Sequence, residues 1–203
     1  MSLLVVGSVA IDSVQTPTQV RERILGGSAS YFSYSASFFG PVRLVVADTM
    51  DLWIREQHEP LTALLKRIDG LVMNDSEAKL LTGDENLVAA GHKILKMGPR
   101  FVVIKKGEHG AMFFSEHETY VLPAFPTQRV VDPTGAGDSF AGGLMGYLAS
   151  RGNFEPKTLK EAMAYGILVA SFTVEDFSLD RLQAINRSDL DARMQLYRKM
   201  LSF

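Results

Sequence analysis

The chain contains no cysteine, which excludes disulfide bridges, thiolate metal sites and cysteine nucleophiles. Its four histidines, His58, His92, His109 and His117, are scattered, with no pair at metal-ligand spacing, and read as surface residues. A strong charge imbalance is also missing. The formal net charge is -2, so nothing favours a nucleic acid or an anionic membrane, either of which calls for a basic surface. Long apolar runs are absent too. The longest stretch without charge, Ile24 to Val42, carries five serines and two adjacent glycines, too polar for a membrane span. The opening MSLLVVGSVAID has no basic segment ahead of its apolar run and no suitable A-x-A site, so it reads as a first strand rather than a signal peptide. These absences predict a soluble, cytoplasmic protein.

What is present is an ordinary globular balance. The 203 residues are 46% hydrophobic and 22% charged, enough for one domain, 1–203, with a real core. Apolar runs at Leu3–Gly7, Val42–Ala47, Gly70–Met73 and Phe101–Ile104 read as strands, and the first is typical of a strand covered on both faces. Ala111–Phe114 and Thr119–Phe125 read as a hairpin around Ser115–Glu118. Gly26–Phe39, rich in small residues and aromatics, reads as a closely packed helix. Further helices follow from apolar spacing: one opened by Pro60, a short one over Ser76–Leu81 stopped by Gly83, and one over Leu87–Leu95 closed by Gly98-Pro99. Gly135–Leu148, Leu159–Val174 and the stripe Leu190, Met194, Tyr197, Leu201 complete the set. Strands alternating with helices predict an α/β fold, three layers α/β/α around a mostly parallel central sheet. In such sheets ligands sit beyond the carboxyl ends of strands. Asp12, Asn74, Lys105 and the loop 132–138 all follow apolar strand candidates and are expected to converge on one edge.

Two familiar phosphate-binding fingerprints are missing from the chain's most glycine-rich loop. RVVDPTGAGDSFAGG, residues 129–143, is not G-x-G-x-x-G, because position 140 is Phe140, and it has no Gly-Lys-Ser/Thr of a P-loop. It carries acids instead, Asp132 before the loop and Asp138 inside it. If a helix begins at Gly135, its first N–H groups lack intrahelical partners and point outward with the positive end of the helix dipole. Gly135, Ala136 and Gly137 then form an anion hole. A carboxylate there needs a separate task. The natural one is to take a proton from a hydroxyl attacking a bound phosphoryl group, while the N–H groups stabilise the developing charge. General-base help of this kind contributes roughly 10²–10⁴-fold.

DPTGAGDSFAGG, Asp132 to Gly143, closely resembles the carboxy-terminal motif of the ribokinase-like (PfkB) family of carbohydrate and nucleoside kinases. The resemblance implies Asp138 as catalytic base and Gly135, Ala136 and Gly137 as the anion hole. It implies an ATP-dependent phosphotransferase whose acceptor is the hydroxymethyl group of a small-molecule sugar or nucleoside. NDSE, Asn74 to Glu77, resembles the family's N-x-x-E motif, which organises magnesium largely through water; read alone it is a helix cap plus a surface acid. KKGEHGA resembles the strand-turn along the ATP phosphates and ribose, with Lys105, Gly107 and Gly110 as nucleotide contacts. VVGSVAID and GGSAS place Asp12, Gly26 and Gly27 at the substrate, although Ser30 and Tyr31 stand where the family commonly has an asparagine. Asp132 and Thr134 resemble positions tied to a monovalent cation such as K+; a strand-end acid and a helix cap explain them equally well. The implied cofactors are ATP, Mg2+ and K+.

One part of the resemblance is absent. Only 33 residues separate Gly40 from Asn74. Family members place the rest of the substrate half and a small β lid there. The pattern implies an internal deletion near 46–47 and a missing lid, hence weak acceptor binding, more wasteful ATP hydrolysis and an exposed edge strand. The alternative is a lid-less nucleotide-binding module without turnover. A dinucleotide oxidoreductase fits poorly, because VVGSVAID has one glycine where that fingerprint needs three. Oligomeric state is not readable, since family dimers often form through the lid.

Overall fold

The computed structural model describes residues 10–15, 20–26, 28–39, 54, 61, 62, 65, 66 and 68–202. In chain order these form β1 (Ala10–Gln15), β2 (Val20–Gly26), α1 (Ser28–Ser37), β3 (Gly70–Asn74), α2 (Asp75–Thr82), α3 (Leu87–Leu95) and β4 (Phe101–Lys105). A 3₁₀ turn (Gly107–His109), β5 (Ala111–Ser115), β6 (Thr119–Leu122), α4 (Ala136–Arg151), α5 (Pro156–Thr173), α6 (Asp180–Gln183) and α7 (Arg187–Leu201) follow. The chain divides into two compact units, Asp48–Ala124 on the one hand and Met1–Ala47 with Phe125–Phe203 on the other. The strands expected at Leu3–Gly7 and Val42–Ala47, and the junction near 46–47, lie outside the described residues.

The unit Asp48–Ala124 holds a four-stranded sheet in the order β3-β4-β5-β6. β3 and β4 run parallel, in register from Gly70↔Phe101 to Asn74↔Lys105, and α2 and α3 make the crossover between them. The other two pairs are antiparallel. β4 is buried on both faces, which explains why FVVI reads as an unbroken apolar run. Period-two alternation sorts the side chains. Leu71, Met73, Val102, Ile104, Met112 and Phe114 share a core with Ala78, Leu81, Ala90 and Ile94 of the helices, together with Ile54, Leu61 and Leu65. On the opposite face Phe101 stacks on Phe113 at 5.9 Å, and Phe113 on Tyr120 at 4.6 Å. The ladder starts at Gly70, over which the Phe101 ring lies.

The second unit is built on helices. A β1–β2 hairpin, paired antiparallel from Ala10↔Gly26 to Gln15↔Val20, leads into α1. The helix expected from Gly26 therefore begins two residues later, and Gly26 ends a strand. α1, α4 and α5 pack through small residues. A side chain on Gly142 would meet the Phe32 carbonyl, one on Gly146 the Ala36 backbone, and one on Gly166 the Phe140 carbonyl. α5 starts earlier than its apolar spacing predicts, because Pro156 fills the first turn where a missing N–H costs nothing. α7 opens on a capping box between Asn186 and Asp189. Among the described residues no helix is long and apolar enough to cross a membrane.

Candidate active site

In the helical unit the glycine loop forms the start of α4. Gly135 is its N-cap, with φ 77°, and no side chain caps it. This left-handed conformation costs little in glycine and is strained in any other residue. Space is closed as well: a Cβ on Gly135 would lie 2.4 Å from the Tyr31 ring. Tyr31, from α1, is thus packed across the loop, and its buried ring stands where the sequence departs from the family pattern. Ser139 N–H donates to the Gly135 carbonyl at 2.9 Å and Ala136 N–H to the Pro133 carbonyl at 3.1 Å. Among the described residues the N–H groups of Gly135 and Gly137 donate to nothing. Asp138 is half-buried on the first turn of α4. Two N–H groups at the positive end of a helix therefore sit on the same turn as a carboxylate.

The segment before the loop is tightly held. Asp132 is 2% exposed. Its Oδ1 accepts the Thr134 N–H at 2.9 Å, while its Oδ2 is buried with no partner among the described residues. A buried carboxylate oxygen left unpaired is costly, and an oxygen donor of this kind suits a cation. The donor chemistry at Asp132 fits the expected monovalent ion. Sequence reasoning missed a second orphan, Ser139 Oγ, also buried with no partner among the described residues. Its only signal was a serine inside an otherwise apolar helix stretch.

In the sheet unit Asn74 and Lys105 are neighbours, register partners at the carboxyl ends of the parallel strands β3 and β4. Asn74 Oδ1 accepts the Glu77 N–H at 2.8 Å and Glu77 Oε2 accepts the Asn74 N–H at 2.7 Å. N-x-x-E is thus a capping box at the start of α2. Among the described residues no three His, Cys, Asp or Glu side chains group to cage a metal. Oxygen donors of this type fit magnesium held through its water shell, not a direct cage. The turn after β4 is closed by Lys106 N–H on the Gly110 carbonyl at 2.7 Å. The two glycines there differ. A side chain at Gly110 would collide with the Leu122 carbonyl at 2.1 Å, so this glycine serves the chain's packing on itself, whereas Gly107 faces open space.

Asp12 lies on β1 opposite Ile24, and Gly26 at the end of β2 opposite Ala10, so the hairpin brings both into one two-stranded sheet. Gly27 lies outside the described residues. The structure thus gathers the expected residues into three groups: the hairpin with Asp12 and Gly26, the α4 start with Asp132, Thr134 and Gly135–Asp138, and the strand ends with Asn74, Glu77, Lys105 and Gly107.

The α/β fold is shared with solved kinases. Aminoimidazole riboside kinase from Salmonella enterica, solved with aminoimidazole riboside and an ATP analogue, superposes with a TM-score of 0.74 at 15% identity, covering 96% of this chain and 100% of that one. The Arabidopsis thaliana ribokinase complex with ribose and ATP superposes with a TM-score of 0.58 at 26% identity, over 66% of this chain and 43% of that one. Residues 40–183 match the pfkB family carbohydrate kinase pattern. The chain belongs to the pfkB family of carbohydrate kinases. Among curated relatives, the cytidine kinase of Thermococcus kodakarensis is 36% identical over 115 residues, 55% of this chain and 39% of that protein. The chain spans less than half the length of curated relatives of this kind.

Proposed function

We propose that this chain is an ATP-dependent phosphotransferase whose acceptor is the hydroxymethyl group of a sugar or nucleoside. The observation that carries the reading is the start of α4, where the left-handed Gly135 opens the helix and Asp138 stands on its first turn. In the proposed step the acceptor oxygen bonds to the γ-phosphorus, the bond from that phosphorus to its bridging oxygen breaks, and ADP leaves with the electron pair. The acceptor proton passes to the Asp138 carboxylate. Charge on the transferred group is received by the hole of Gly135, Ala136 and Gly137 at the positive end of α4, chiefly by the Gly135 and Gly137 N–H groups, since the Ala136 N–H donates to the Pro133 carbonyl. Lys105 and the open face of Gly107 hold the nucleotide phosphates. A magnesium ion held through water by Asn74 and Glu77 would neutralise charge on those phosphates. A monovalent cation would pair the buried Asp132 Oδ2, with Thr134 beside it. Asp12, Gly26 and Gly27 contact the acceptor.

The acceptor class rests on the relatives' names: cytidine, aminoimidazole riboside and ribose all offer a ribose-type hydroxymethyl group. The test is transfer of label from γ-labelled ATP, with magnesium, to a panel of pentoses, hexoses and nucleosides. One acceptor that gains label faster than water does is the expected result. Label appearing only in inorganic phosphate, for every acceptor, contradicts it. A second reading, a nucleotide-binding module without turnover, is motivated by the 33 residues between Gly40 and Asn74, too few for the lid that the family resemblance implies. It predicts binding of an ATP analogue by calorimetry together with that negative panel.

A further inference from the structure

α5 ends at Thr173, and no helix or strand begins before Asp180. The first residue of this bare stretch matters most. The Val174 carbonyl accepts the Val131 N–H at 2.8 Å and the Asp132 N–H at 3.4 Å. It thereby holds the backbone that leads into Pro133, Thr134 and Gly135. On its helix side Val174 is held by its own N–H, which donates to the Ala170 carbonyl at 3.2 Å; on the other side the hold passes to Glu175. Glu175, the next residue, is 12% exposed at its side chain and gathers three donors. Arg193 Nη2 of α7 donates to it at 2.8 Å, Arg181 Nε of α6 at 3.0 Å, and Thr127 Oγ1 at 3.1 Å.

Arg193 is itself fixed. Its guanidinium stacks 3.3 Å from the Phe172 ring centroid, lies 4.9 Å from that of Phe125, and donates through Nη1 to Ser171 Oγ at 2.9 Å. A planar fork on an aromatic face with two acceptors uses properties that lysine lacks. Burial works against the Arg193 charge, and Glu175 beside it works for it. Arg181 is more exposed, 38% at its side chain against 13% for Arg193. It faces an open cleft of about 490 Å³ that Arg129, Asp176 and Asp180 also line, so solvent weakens its share.

We infer that the Glu175–Arg193 pair is a positioning device, which fixes the Val174 carbonyl and through it the Val131–Asp132 backbone in front of the anion hole. The functional consequence rests on the phosphotransferase reading above; the positioning itself does not. Neither residue touches the reacting atoms.

The test is amide hydrogen exchange, which needs no catalysis, on Glu175→Gln, Arg193→Lys and Arg181→Lys. In Glu175→Gln and Arg193→Lys the Val131 and Asp132 amides are expected to exchange at least about 10-fold faster, the factor that losing one hydrogen bond to a charged group gives. Amides of α5 and of β4 should keep their wild-type rates, and Arg181→Lys should change Val131 and Asp132 by less than about threefold. Wild-type exchange at Val131 and Asp132 in both variants overturns the inference. So does faster exchange spread evenly through α5 and α7, which marks plain destabilisation. Arg193→Lys keeps the charge and serves where Glu175→Gln fails to fold. A second arm follows turnover: kcat falls at least about 10-fold while the KM for ATP stays within about twofold. If the wild-type chain transfers no phosphate, the phosphotransferase reading fails, and the exchange arm still decides the positioning.

Discussion

Gly135 shapes the entry to α4. It carries two constraints at once, a φ of 77° and a Tyr31 ring that leaves no room for a Cβ. The left-handed conformation costs about 1–2 kcal/mol in alanine, and the collision adds an overpacking cost of about 1–3 kcal/mol. Gly135→Ala is expected to lower stability to urea by about 2 kcal/mol or more. Adding Tyr31→Ala should recover the collision and leave the conformational cost, so the double variant is more stable than the sum of the two single losses. Strict additivity would mean that Tyr31 and Gly135 do not meet. The glycine was readable from DPTGAGD, but Tyr31 was not: the sequence marked it only as a departure from a family pattern. Its position depends on how α1 lies on α4, and no local spacing encodes that.

Among elements, the helix contacts decide stability by sign. Replacing a helical glycine by alanine ordinarily gains about 0.5–1 kcal/mol. A Cβ on Gly142 would sit 2.4 Å from the Phe32 carbonyl of α1, and backbone cannot yield cheaply. Gly142→Ala should therefore destabilise, by about 1–2 kcal/mol net, seen as an earlier urea midpoint with an unchanged slope. A gain in midpoint would refute the close α1–α4 contact. At the other element end, Asn74→Ala removes the capping box of α2 and should cost about 1 kcal/mol. The same variant is expected to weaken the magnesium dependence of ATP-analogue binding, followed by calorimetry with and without the ion. Unchanged dependence would leave Asn74 as a cap alone.

The elements themselves were unevenly legible. β3, β4 and β5 followed from apolar runs, and α2 and α3 from caps and spacing, since each is decided by neighbours in sequence. The β1–β2 hairpin escaped because Arg21-Glu22-Arg23 interrupts the alternation in its second strand. α6 is too short to leave a periodic trace. The Glu175–Arg193 pair escaped for a different reason. The partners are 18 residues apart, and only the packing of α7 against α5 joins them.

For the whole molecule, burial sets a limit at high pH. The hydroxyls of Tyr120, Tyr147, Tyr165 and Tyr197 are all pushed above their ordinary range, by burial first. Glu118 adds to this at Tyr120, Glu161 at Tyr147 and Asp191 at Tyr165. A tyrosine raised in the folded state stays neutral there after the unfolded chain has ionised, at a pH of about 10. The stability it contributes is fully present below that pH and is lost as pH rises through the folded value. The urea midpoint should be flat between about pH 7 and 9 and fall above about 10. A midpoint that holds beyond this would show that the four hydroxyls ionise without resistance from the fold.

In the proposed reaction Asp138 takes the acceptor proton while the start of α4 receives the phosphoryl charge. Asp138→Asn keeps the size and the helix start and removes the base. Phosphoryl transfer to the best acceptor and binding of a non-hydrolysable ATP analogue should be measured on the same preparation. Transfer is expected to fall roughly 10²–10⁴-fold, with analogue affinity within about threefold of wild type. Transfer that survives the substitution undiminished would contradict it.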